Sequence, residues 1–220
     1  VTPHALSSPT ARPVPRFRAV APLLIVASLA AVALVAPFPG GSLSVAVTSA
    51  AASAGFAVPG VEVLSDALLL ALAALTALVL LRAWWQDPVR RARVVAGGAG
   101  VALAYVGSEA GKALFAQVRP CTRWPAAGTC DVADYSFPSN HATLAFAAAC
   151  VVAIVGGRLL WTMLAVILAV AVAAGRLLEG VHYLHDVAVG AIWGIVVPAL
   201  LVLTVEVARA SRRGRGWARA

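Results

Sequence analysis

Six stretches of the sequence, at 19–37, 63–85, 94–117, 140–156, 159–178 and 184–207, are apolar almost without interruption. A helix needs about 20 such residues to cross about 30 Å of hydrocarbon. Each run is therefore expected to be a membrane-crossing helix; 140–156 is the shortest and the weakest case for a full crossing. Composition agrees: of 220 residues 61% are hydrophobic and 12% charged, about half the charge of an ordinary soluble domain. The fold class expected is an all-α polytopic membrane protein with six transmembrane helices.

Basic residues decide the orientation, because Lys and Arg accumulate in short loops that stay in the cytoplasm. Arg12, Arg16 and Arg18 precede the first run, Arg82, Arg90, Arg91 and Arg93 surround the second connection, Arg158 sits in the fourth, and Arg209, Arg212, Arg213, Arg215 and Arg219 follow the last. The intervening connections hold Arg119, Arg123 and Arg176, with Lys112 at the end of the third run. Both termini are expected in the cytoplasm and connections one, three and five outside. The net charge of +8 is spread over juxtamembrane segments without a nucleic-acid-binding motif. It reads as topology and contact with anionic lipid head groups rather than nucleic-acid binding.

The organisation expected is a flexible cytoplasmic tail at 1–18, a membrane domain at 19–207 and a basic cytoplasmic tail at 208–220. A cleavable signal peptide within 1–50 is a second reading of the amino-terminal end. The stretch 38–62, rich in Gly, Ala and Ser, is expected to be a loop over the outer surface. Gly107 with Gly111, and Gly190 with Gly194, have the four-residue spacing that lets helices approach closely. Gly97-Gly98-Ala99-Gly100 resembles a phosphate loop superficially, but it lies inside an apolar run with no strand before it. Trp84 and Trp85 read as interfacial anchors, and Pro198 as a kink in the last helix.

Ionisable groups near membrane spans cost about 2.5–3.5 kcal/mol at a helix centre and are functional candidates by default. Here they form three clusters, all assigned to the outer side by the loop charges. Lys112 and Arg119, nearly two helical turns apart, are expected on one helix face, where two cations favour an anion. Glu109, on the same side, is placed to neutralise Lys112 before substrate arrives. Pro138-Ser139-Asn140-His141 opens the fourth run; Ser139 or Asn140 can cap the helix, and first-turn N–H groups bind anions. Arg176 is followed by His182 and Asp186. If that segment is helical, the carboxylate can orient one ring nitrogen and leave the other free to attack. Three cations, two histidines, a helix start and one carboxylate suit phosphoryl transfer.

Lys112-x6-Arg119-Pro120, Pro138-Ser139-Asn140-His141 and Arg176-x5-His182-x3-Asp186 resemble, in order and spacing, the three motifs of the type 2 phosphatidic acid phosphatase superfamily. Two positions depart from it: the family most often has Gly at Asn140 and Ser at Gly175. The resemblance implies catalysis without metal or cofactor. His182 would attack phosphorus to form a phosphohistidine with its ring held by Asp186. Lys112, Arg119, Arg176, Ser139 and the Asn140 backbone would bind the phosphoryl oxygens. His141 would protonate the leaving oxygen and later activate water.

Other readings stay beside this one. His185 and Glu179 with His182 and Asp186 could form a metal site, although no HExxH pattern is present. Cys121 and Cys130 lie in a connection expected outside, which permits a disulfide contributing roughly 2–3 kcal/mol. The function expected is a lipid phosphatase in a bacterial inner membrane with its site facing outside. Its partners would be the bilayer and a lipid phosphate: polyprenyl diphosphate first, phosphatidylglycerol phosphate or phosphatidic acid next. Transfer to another acceptor, or anion transport without turnover, are the alternatives.

Overall fold

The computed structural model describes residues 17–35, 37–38 and 41–217. Most of the predicted amino-terminal tail, and residues 218–220, lie outside these. The apolar runs become helices α1 (Phe17–Val35), α3 (Val61–Gln86), α4 (Arg91–Phe115), α5 (Asn140–Val151), α6 (Leu159–Leu178) and α7 (Leu184–Trp217). A two-residue antiparallel ladder joins Pro37–Phe38 to Gly41–Ser42.

Five segments are long and apolar enough to cross a membrane: Arg18–Val35, Val61–Gln86, Pro88–Thr122, Leu159–Leu178 and Leu184–Arg212. The fourth apolar run, Asn140–Gly156, is shorter. It is α5 followed by a π-helical turn, Val152–Gly156, after which Gly157 at φ 63° turns the chain back into α6. Among the described residues the architecture is helical apart from that short ladder, with five long apolar helices around the short α5. α7 runs unbroken past Pro198 and through Trp217, so helix continues through residues 208–217 of the basic segment.

The stretch 38–62, expected to be a loop, holds an additional helix, α2 (Leu43–Gly55). The Ser42 side chain caps it, accepting a hydrogen bond from the Val45 N–H at 3.1 Å. Its low-contrast Ala/Ser/Val sequence hides any helical stripe, and tertiary contact with α6 and α7 supplies what periodicity does not.

α5 is the centre of the bundle, packed against α3, α4, α6 and α7. Leu72, Phe146, Ala149, Val152, Ala169, Val172 and Ala191 share its core. α7 lies almost on the α5 backbone: a Cβ at Gly194 would stand 2.4 Å from the Thr143 carbonyl oxygen, and one at Gly190 would stand 2.8 Å from that of Ser139. Across α4, Gly107 accommodates the Trp193 ring and Gly111 accommodates Pro138. Large apolar side chains such as Ile25, Leu70, Leu78, Val106, Leu160 and Leu200 instead point outward. In water such a surface would be a liability, whereas in a bilayer it is the ordinary lipid-facing coat.

Candidate active site

At one end of the bundle the chain between α4 and α5 folds over the helix ends. α4 stops at Phe115 because Ala116 takes a left-handed conformation, φ 48°. Lys112 and Arg119 therefore do not share a helix face, as their spacing led one to expect. Arg119 stands on the loop, just before a 3-10 turn at Pro120–Thr122. Cys121 and Cys130 are joined by a disulfide within this loop. The loop returns beside its own start, where the Ser136 N–H donates to the Gln117 carbonyl at 2.9 Å. A cis Phe137–Pro138 peptide then leads into α5.

Under this loop lies a pocket of about 250 Å³ lined by Lys112, Arg119, Asp134, Asn140, His141, Arg176 and His182, among others. Residues from all three sequence clusters thus converge on one cavity. The three cations are 6–8% exposed. Each is balanced by a carboxylate, as buried charge requires. Lys112 Nζ donates to both Asp134 oxygens, at 2.8 and 2.7 Å, and the Arg119 guanidinium binds the same carboxylate. Burial would raise the Asp134 carboxyl, but the bonds from Lys112 and the charge of Arg119 outweigh it and hold it below its ordinary value. Glu109, expected to neutralise Lys112, instead accepts from the Asn140 amide. Arg176 Nη1 lies 2.8 Å from Glu179 Oε2 and 3.7 Å from Asp66 Oδ1. Glu179 is almost wholly enclosed, and burial, against the opposing charge of Arg176, raises its carboxyl to about 7.

His182 is 2% exposed. It precedes α7 in a non-helical turn after Gly180, whose φ is 75°, so helical spacing does not bring it to Asp186. Its Nδ1 lies 2.8 Å from the Ser136 carbonyl oxygen and 3.6 Å from Asp186 Oδ2. The ring is thus held by a backbone carbonyl, with the Asp186 carboxylate as a charged neighbour, rather than by Asp186 directly. A carbonyl can only accept, so Nδ1 carries the proton and Nε2 keeps its lone pair. Burial lowers the His182 pKa against the pull of Asp186, which favours the neutral ring.

Asp186 is fully buried and has a different task. Its Oδ2 accepts from the Tyr183 N–H at 2.7 Å, the reach back to the helix start made by the third residue of a capping box. Its Oδ1 accepts from Gln117 Nε2 at 2.9 Å, with His185 Nε2 3.1 Å away. Its backbone carbonyl accepts from the Ser139 N–H at 3.1 Å. One residue therefore ties together the starts of α5 and α7 and the loop.

Ser139 is wholly buried as the α5 cap, accepting from the Ala142 N–H at 3.5 Å, and it does not line the pocket. Asn140, where the family pattern has glycine, uses its side chain: Ser108 Oγ donates to Oδ1 at 2.6 Å, and Nδ2 donates to Glu109. It fastens the start of α5 to α4. His141 Nε2 lies 3.0 Å from Asp66 Oδ1.

Asp66, Asp134, Gln117 and the Ser136 carbonyl are the site groups that the sequence did not reveal. Acids at interfacial positions are common, and a backbone carbonyl has no sequence signature. His185 stacks on Tyr183 and bonds Ser44 and Gln117. Among the described residues no group of three or more His, Cys, Asp and Glu is placed to hold a metal ion.

The sequence has relatives among known proteins. Decaprenylphosphoryl-5-phosphoribose phosphatase of Mycobacterium tuberculosis, in strains CDC 1551 / Oshkosh and ATCC 25618 / H37Rv, is 37% identical over 114 residues. The match takes in 52% of this chain and 62% of each relative, so the chain spans less than two thirds of their length. No solved structure matches significantly. Residues 93–210 match the PAP2 superfamily. That stretch contains the whole disulfide-closed loop and every cation and histidine lining the pocket, and by it the chain belongs to the PAP2 superfamily.

Proposed function

We propose that this chain is an integral-membrane lipid phosphatase acting through a phosphohistidine. The observation that carries the reading is the pocket itself: three nearly buried cations around a neutral histidine whose Nε2 lone pair is free. His182 Nε2 would attack phosphorus as the bond to the leaving oxygen breaks, and His141 would give that oxygen its proton. Water, deprotonated by His141, would then attack phosphorus and break the P–N bond, returning His182 to its neutral form with release of phosphate. Lys112, Arg119 and Arg176 would neutralise the phosphoryl oxygens, where positioning and charge supply most of the catalysis. Asn140 and His141, at the start of α5, would add backbone N–H groups. Ser139 would act through the cap that aims them, and Asp186 through the framework that holds His182.

In this reading all six apolar helices cross the membrane, both termini lie in the cytoplasm and the pocket faces outside. The substrate is a phosphate on a polyprenyl-linked head group, as the name of the M. tuberculosis relatives supports. Polyprenyl diphosphate, also carrying a terminal phosphate on an isoprenoid, belongs to the same class. Glycerophospholipid phosphates come after both.

The test is phosphate release by purified protein from a panel of polyprenyl phosphates, polyprenyl diphosphates, polyprenyl-linked sugar phosphates and phosphatidic acid. His182→Ala is expected to lower the rate by on the order of a thousandfold or more, and brief incubation of the parent with labelled substrate should leave acid-labile phosphate on the protein. Absence of release from every lipid, or full activity in His182→Ala, would overturn the reading.

A further inference from the structure

A second, larger cavity of about 1040 Å³ opens at the opposite end of the bundle from the histidine pocket. Its origin is the shortness of α5. That helix and its π turn end at Gly156, and Gly157 reverses the chain, while α3 continues to Gln86 and α7 to Trp217. The hairpin between α5 and α6 thus forms a recessed floor among longer helices. Leu78, Val79, Ile154, Val155, Val202 and Leu203 give the cavity apolar sides.

Its polar rim is cationic, with Arg82, Arg90, Arg93 and Arg158 set against Glu206. Arg93 is paired with Glu206 at 2.5 Å, and Arg90 with Asp87 at 3.0 Å. Among the described residues neither Arg82 nor Arg158 forms an ion pair, and both side chains are exposed. Two unpaired guanidinium groups above an apolar hollow match a ligand with an anionic head and an apolar body. The volume is about four times that of the histidine pocket, which is itself ample for a phosphoryl group, so a lone inorganic anion would leave most of it unfilled. Residues 1–16 and 208–220 are poor occupants, since they contain arginines and no acid.

We propose that this cavity is a binding site for an anionic phospholipid of the leaflet opposite the histidine pocket, its phosphate held by Arg82 and Arg158 and its glycerol and upper chains against the apolar sides. The site is separate from the proposed hydrolysis and does not depend on it.

The test uses the full chain in a zwitterionic detergent, with phosphatidylglycerol or phosphatidylcholine added. Native mass spectrometry counts retained lipid, and thermal unfolding reads stabilisation. Expected for the parent are one preferentially retained phosphatidylglycerol and a saturable rise in Tm that phosphatidylcholine does not reproduce. In Arg82→Gln/Arg158→Gln that rise should fall by at least half, whereas Arg18→Gln/Arg212→Gln, with charges removed outside the cavity, should keep it. Since the substituted side chains are exposed, a Tm near the parent's without added lipid checks that the fold is intact. Equal loss in both double variants would mean diffuse surface attraction and overturn the proposal, as would an undiminished rise in Arg82→Gln/Arg158→Gln. A saturable rise produced equally by inorganic phosphate would overturn it in favour of a simple anion site.

Discussion

Two acids distinguish the residues of this pocket from a simple collection of cations. Asp134 occupies Lys112 and Arg119 with the kind of contact a phosphoryl group would make, so a substrate dianion must compete with it. Asp134→Asn is expected to strengthen inhibition by vanadate or inorganic phosphate by about tenfold, about 1.4 kcal/mol; weaker inhibition would instead make Asp134 an organiser of the cations. Asp66, which meets His141, should behave differently: Asp66→Asn is expected to lower kcat by on the order of tenfold, part of what a general acid supplies, with vanadate inhibition little changed.

The buried titratable groups also give a pH signature of stability. Glu179, raised from its ordinary 4.5 to about 7, takes up a proton more readily in the fold than in the unfolded chain. Its contribution is full below about 4.5 and is lost as pH rises through about 7. His182, lowered by burial from 6.5, contributes above its ordinary value and loses that contribution as pH falls below it. Tm measured from pH 5 to 8 should fall on the alkaline side, and Glu179→Gln should flatten that limb while leaving the acid limb in place.

Among the elements, the disulfide-closed loop between α4 and α5 carries Arg119, Asp134 and the Ser136 carbonyl that holds His182. Cys121→Ser/Cys130→Ser is expected to lower stability by roughly 2–3 kcal/mol, the value for closing a short loop. Because the same loop holds His182, the proposed nucleophile, kcat should fall as well; a lower Tm with unchanged kcat would show that the loop holds its shape without the bond. The long helices were legible from apolar run length, and α5 was already distinguished as the shortest. α2 was not legible, because contacts with α6 and α7 rather than an amphipathic pattern define it. The three motif clusters were legible as residue types. Their connections were not: Lys112 and Arg119 meet through Asp134 rather than along a helix, and His182 reaches Ser136 across the loop. Asn140, where the sequence departs from the family pattern, has Ser108 and Glu109 as side-chain partners that a glycine would lack.

At the scale of the molecule, the two ends differ in charge. The histidine pocket lies at the end where each basic side chain lining it faces an acid, and the arginine-rimmed cavity lies at the other. The loop-charge rule puts the latter in the cytoplasm. A reporter active in the cytoplasm and fused after residue 220 should therefore be active, and a cysteine placed at Asp131, in the loop over the histidine pocket, should react with an impermeant thiol reagent in intact cells. Labelling from the opposite side would reverse the orientation.

α5 has a consequence for the environments in which such a molecule can work. It carries Asn140 and His141 at its start, yet the other helices enclose it and it presents little surface to the acyl chains. Bilayers of different thickness tilt or strain the helices they touch. That mechanical load falls on the long outer helices, while the short central one is shielded from direct hydrophobic mismatch, so the part of the pocket that Asn140 and His141 supply is the part least exposed to it.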